Sequence, residues 1–183
     1  MNKRVLLAGI LGAVAMYLWV FIAHMVLPLG EAGIQQISNE QALLGQMSST
    51  IPAQGMYMFP NMPPGGDQTQ YMQKIASGPS GLIVYFPKRD FVFGKLLAIE
   101  FVTELIPILI ATYLLSLTSL SSFGSRLGFF ALAGLVAVMG TNVSYWNWYG
   151  FPTTYTASYM FTIWFGYFCA GLVVAFMMGR KSA

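Results

Sequence analysis

The sequence predicts an all-α integral membrane protein: a four-transmembrane-helix bundle with a small extracytoplasmic cap between helices 1 and 2. Three observations predict it. The 183 residues are 56% hydrophobic and only 8% charged, against about 25% charged in a soluble domain. Four apolar runs are each long enough to cross a hydrocarbon core of about 30 Å at about 1.5 Å rise per residue. The lysines and arginines sit at the ends of those runs rather than in a stripe. The whole chain, residues 1–183, reads as a single membrane domain.

The first span is expected over residues 5–28, after "MNKR" and before Pro28 and Gly30. It is too long for the apolar region of a signal peptide, and no convincing cleavage site follows, so it is expected to be a retained helix. The second span is expected over 91–120, the third over 127–146 and the fourth over 155–178. Lys3, Arg4, Arg126, Arg180 and Lys181 fall on one side of such an arrangement. Positive charge in short flanking segments marks the cytoplasmic side, which predicts a plasma (inner) membrane protein with both termini cytoplasmic. Lys74, Lys88, Arg89 and Lys95 lie on the other side. They weaken that bias without reversing it, because long segments cross largely regardless of charge. Gly9 and Ala13, Ala133 and Ala137, and Gly166 and Ala170 supply small residues at helical spacing for close helix packing.

The cap is expected over residues 29–90. Ile34, Ile37, Leu44, Met47 and Ile51 recur at helical spacing and predict an amphipathic helix ended by Pro52. Its polar face is rich in Gln and Ser, which suits packing on the bundle or a partner better than binding anionic lipid. Asp67 is placed to cap a short helix through Ala76. "LIVYF", Leu82 to Phe86, reads as a short strand before Pro87. Met56, Met58 and Met62 in "GMYMFPNMPPGG" are soft thioethers of the kind that ligate Cu(I), and Met residues that pack a loop look the same.

Tyr145, Trp146, Trp148, Tyr149 and Tyr155 surround the turn between the third and fourth spans. Such residues anchor a helix at the lipid interface, the apolar ring in lipid and the polar tip wet.

The second span carries the feature that an apolar helix does not need: Glu100 and Glu104, one turn apart on one face. With Gly94 at the boundary they lie about 9 Å and about 15 Å deep. A charge at mid-membrane costs roughly 2.5–3.5 kcal/mol on insertion scales. Glu104 is therefore expected to hold a proton. His24 is the one side chain within the spans able to answer these acids with a positive charge. Asn142 and Tyr159 have matching depths, so His24, Glu100, Glu104, Asn142 and Tyr159 are expected to form one polar layer. Such a layer either fixes helix packing through hydrogen bonds or handles protons or ions.

The sequence lacks a glycine-rich phosphate loop, a zinc-protease helix, a cysteine pair and a nucleophile elbow. Cys169 is the sole cysteine, so an internal disulfide is excluded, and no basic stripe supports nucleic-acid binding. With one histidine, bis-His haem within the chain is excluded too; a single axial ligand is the most His24 can supply. The expected role is non-enzymatic: an accessory, assembly or stabilising subunit of a larger membrane complex. Its expected partners are the lipid bilayer and other membrane subunits or further copies of itself. The alternative is a small proton- or copper-linked protein using His24, Glu100 and Glu104.

Overall fold

The computed structural model describes residues 2–179. It divides into two compact units: one formed by Met1–Ile34 with Val92–Ala183, the other by Gln35–Phe91. The chain is mostly helical, and four of its helices are long and apolar enough to cross a membrane.

The first unit contains those four: α1 (Lys3–Met25), α4 (Phe93–Ser116), α5 (Phe123–Tyr149) and α6 (Thr153–Gly179). The short helices α2 (Glu40–Thr50) and α3 (Gln68–Ser77) belong to the second unit. Packing runs in the order α4–α1–α6–α5, and α4 meets α5 and α6 only briefly. The first helix in sequence is thus central in space. Its composition explains why. Ala8, Gly9, Gly12, Ala13, Met16, Val20 and Ala23 are buried, a strip broad enough to receive a neighbour on two sides.

Glycine sets the approach distances. A Cβ at Gly9 would lie 2.8 Å from Leu109 of α4, and one at Gly12 2.9 Å from Val174 of α6. Between α5 and α6, a Cβ at Gly134 would lie 2.7 Å from the Tyr167 Cβ, and one at Gly171 2.6 Å from the Phe130 Cβ. Backbones this close gain dispersion contacts over their length, the main attraction between helices when the solvent is itself apolar. Of the small-residue pairs expected from sequence, Gly9 and Gly166 fall at such contacts, whereas Ala137 is exposed and Gly134 takes its place.

The helix ends account for the boundaries. Ser122 accepts a hydrogen bond from the Ser125 amide, so α5 starts one turn before the expected Leu127. Its end is a left-handed Gly150 (φ +69°) whose amide bonds the Tyr145 carbonyl. At the opposite end of the unit, Arg4 donates from Nε to the Met177 carbonyl at 2.9 Å. The bond ties the start of α1 to α6. Arg4→Ala is expected to cost about 1–3 kcal/mol by removing this charge-assisted hydrogen bond; thermal unfolding followed by circular dichroism in detergent measures it. Arg126 lies at the same end, its guanidinium beside Gly179. Arg180 and Lys181 lie outside the described residues.

The second unit is built differently. Asn39 caps α2, and Asp67 caps α3 by accepting from the Thr69 amide at 2.7 Å. The amphipathic helix expected from Ile34 therefore starts only at Glu40, because Asn39 offers its side chain to the backbone there. β1 (Gly55–Phe59) pairs antiparallel with β2 (Gly81–Tyr85), with Tyr57 opposite Ile83. The expected strand is thus present, one residue earlier, and has a partner in the methionine-rich segment read from sequence as a loop. Pairing satisfies the backbone of both segments, which neither could do alone. Tyr85 is the sole buried residue of this unit among the described residues.

Candidate functional site

The α4 face that packs inward carries Glu104, Ile108, Ala111, Thr112 and Leu115. Four of these suit an apolar interface. Thr112 returns its hydroxyl to the Ile108 carbonyl at 2.7 Å, so it too is satisfied. Glu104 is not. It is 3% exposed, and neither carboxyl oxygen has a hydrogen-bond partner. Buried polar side chains are bonded in the great majority of cases, so this acid calls for an explanation.

Glu100 lies one turn away toward the start of α4 and is exposed. It acts electrostatically on Glu104. The Tyr159 hydroxyl on α6 is within electrostatic reach of both acids. Of the expected polar layer, Glu100 and Glu104 thus share one face of α4, and Tyr159 on α6 is electrostatically coupled to both. The other two are placed elsewhere. The His24 ring is exposed at the end of α1, its Nδ1 2.9 Å from the Val20 carbonyl, with Gly30 packed against the ring. Asn142 donates to the Val138 carbonyl of its own helix at 2.9 Å. Among the described residues neither glutamate has an ion-pair partner, and no group of three or more His, Cys, Asp or Glu is arranged to hold a metal ion.

Two aromatic side chains of α1 that the sequence pattern does not single out pack in its seams. Tyr17 donates to the Leu97 carbonyl at 3.4 Å and meets Phe101 edge to face. Trp19 donates to the Thr162 carbonyl at 2.8 Å and lies 4.5 Å from the Phe165 ring. Both side chains close seams of α1, Tyr17 against α4 and Trp19 against α6, with their polar atoms satisfied. Each follows the span's small residues by a turn or two, but an all-round apolar helix gives no periodic signal of which face is inward.

Of the interface aromatics expected from sequence, Tyr145, Tyr149 and Tyr155 join one chain of ring contacts at this end of the unit. Ring centroids are 5.7 Å apart for Tyr145 and Tyr149, 5.5 Å for Tyr145 and Phe151, 5.8 Å for Phe151 and Tyr155, and 6.2 Å for Tyr155 and Tyr159. The belt thus runs up to the glutamate cluster. Trp146 donates to Thr153 at 3.0 Å, and Trp148 is 78% exposed. Behind the belt, Val143, Trp146, Thr153, Thr156, Ala157 and Met160 line a crevice of about 220 Å³. Thr156 Oγ1 is buried there without a partner.

In the second unit, Met56 and Met58 are two residues apart on β1 and so share a face, both exposed. Met62 lies beyond the strand, also exposed. The Met58 sulfur accepts from the Tyr71 hydroxyl at 4.0 Å.

The chain matches no protein-family model, no curated protein and no solved structure.

Proposed function

We propose that this chain is a non-enzymatic accessory or assembly subunit of a larger membrane protein complex. It sits in a bacterial-type inner (plasma) membrane through α1, α4, α5 and α6, with both termini cytoplasmic and Gln35–Phe91 on the outer side. The observation that carries this reading is the second unit, which has almost no interior of its own. Ile37, Leu44, Met56, Met58, Met72 and Val84 are all exposed there, at 45–67% of their surface. Each such side chain yields roughly 1.5–3 kcal/mol when fully buried. A water-facing unit that leaves them uncovered is built to have them covered by something else.

Charge favours a protein as the cover. Residues 35–91 contain Lys74, Lys88 and Arg89 against Glu40, Asp67 and Asp90, three of each sign. A segment that lies on anionic lipid carries a basic excess. The polar face of α2, with Gln41, Gln46, Ser48 and Ser49, offers hydrogen bonds rather than charge. Such a surface fits a protein partner with an apolar centre and a polar rim.

Charge at the helix ends supports this orientation. Lys3, Arg4 and Arg126 lie at one end of the first unit, and the aromatic belt lies at the other. Positive charge marks the cytoplasmic side. In a Cys169→Ala background, Ser49→Cys is expected to react with a membrane-impermeant thiol reagent in cells with a permeabilised outer envelope only. Labelling that appears only after the inner membrane is broken would reverse the orientation.

Affinity purification of the full-length chain from its native membrane in mild detergent tests the proposal. A second membrane polypeptide in fixed stoichiometry is expected by native mass spectrometry. A lone monomer, or an assembly of this chain alone, sinks it.

A further inference from the structure

We propose that Glu104 is a proton-binding site inside the helical unit, exchanging with water at the aromatic end through Glu100. The site goes beyond the subunit role and stands on separate observations.

The first is the state of Glu104 itself. Several polar side chains inside this unit are closed off: Thr112 bonds the Ile108 carbonyl, Thr162 the Ser158 carbonyl, and Trp19 the Thr162 carbonyl. Glu104 is as buried as they are, at 3% exposure, and has neither donor nor acceptor. Thr156 Oγ1 and Arg126 Nη1 are buried unpartnered as well, but Glu104 is the one acid among them. A carboxylate left so would be a bare charge away from water, which is costly. A proton removes the charge with the smallest change in volume. A metal cation needs a shell of about six oxygen ligands, and the cluster offers two carboxyl groups and one phenol.

The second observation is the path. Glu100 is exposed and about 6 Å nearer the aromatic end of α4, one turn along the same face. On α6, Tyr159 is 38% exposed and stacked on Tyr155. A proton on Glu104 leaves when its O–H bond breaks and a new O–H bond forms on the Glu100 carboxylate, directly or through water. The pair then still holds one proton and one negative charge. Sharing one proton suits two acids on one turn, because like charges at this spacing repel.

The neighbouring helices do not supply a competing charge. From α6 the titratable groups are Tyr159 and, stacked on it, Tyr155; Tyr167 packs on Gly134 of α5, and Cys169 lies further toward the Arg4 end. From α1 they are Tyr17, bonded to the Leu97 carbonyl, and His24, whose ring is at the Val20 carbonyl; Lys3 and Arg4 lie at its opposite end. The titratable residues of α5, Arg126, Tyr145 and Tyr149, lie at its two ends.

A hydrophobic carbodiimide tests the site, since it reacts with protonated carboxyl groups in apolar surroundings. The full-length chain is treated in vesicles of neutral phospholipid, and adducts are mapped by peptide mass spectrometry. An adduct at Glu104 is expected, falling about tenfold per pH unit on the alkaline side of its titration. No adduct at Glu104, or one that does not vary with pH, overturns the proposal. This arm uses the unaltered chain, so it stands whether or not a variant folds. The second arm is infrared. The carboxylic C=O band is expected to vanish in Glu104→Gln, and its shift in heavy water is expected to slow severalfold in Glu100→Gln. A band that survives in Glu104→Gln removes the site, and an unchanged exchange rate in Glu100→Gln removes the relay.

Discussion

Replacing Gln35–Phe91 by a flexible glycine–serine linker is expected to abolish partner association while leaving the helical unit folded. The two units are compact separately, and the core cluster of Ala8, Met16, Ile108, Leu115, Phe130 and Val174 is drawn entirely from the first. Nothing in residues 35–91 supplies that core, so its thermal unfolding is expected to change by less than about 1 kcal/mol, the scale of a surface alteration. The partner, by contrast, loses the exposed side chains of α2, α3 and the sheet. If burial of even three of them contributes at the usual scale, the loss is roughly 5–9 kcal/mol of gross interaction. That is ample to lose a complex in a wash, because every 1.4 kcal/mol is about a tenfold change in affinity. Purification of the linker variant beside the full chain reads both effects. A partner retained by the variant would move the interface to the helices.

Gly171→Leu and Gly134→Leu are each expected to destabilise the first unit by at least about 3 kcal/mol, at the upper end of overpacking penalties. The added Cβ at either position would fall under 3 Å from another Cβ, of Phe130 or Tyr167. A Cβ moves only with its backbone, so no side-chain rotation relieves the clash, and α5 must part from α6. Gly128→Ala is the control. Its added Cβ meets nothing within 4 Å, so the better helix propensity of alanine is expected to raise stability by about 0.5–1 kcal/mol. Equal losses at Gly128 and Gly171 would show that the α5–α6 seam is not where the structure puts it.

The long helices were legible in the sequence because an apolar run of twenty residues has few alternatives. Their ends were less so. "SSFGSR" reads as a polar link, yet Ser122 uses its hydroxyl as a cap and the following residues form the first turn of α5. The glutamate pair shows the same division. That Glu100 and Glu104 share a face follows from spacing alone. That one is exposed and the other sealed does not, because α4 is apolar on every side and its pattern does not say which side meets α1. His24 is the one cationic candidate within the spans, but the sequence leaves rotation around the helix axis open, and the ring turns to the Val20 carbonyl and Gly30 instead. Tyr159 has a matching depth too, and is electrostatically coupled to both acids. β1 escaped notice because methionine is a weak strand former and its partner lies beyond an intervening helix.

The cluster and the second unit pose separate questions, and the second decides what the chain is for. Photo-crosslinking in the native membrane asks it most directly. A photoreactive residue is placed at Leu44 on α2 or Met72 on α3, both half exposed or more, with a third at Leu132 on the outer face of α5, 65% exposed, as the lipid-facing reference. Leu44 and Met72 are expected to give a crosslink to one defined polypeptide other than this chain, and Leu132 is expected to give none. Crosslinks from Leu44 and Met72 only to lipid or to further copies of this chain would contradict the subunit role.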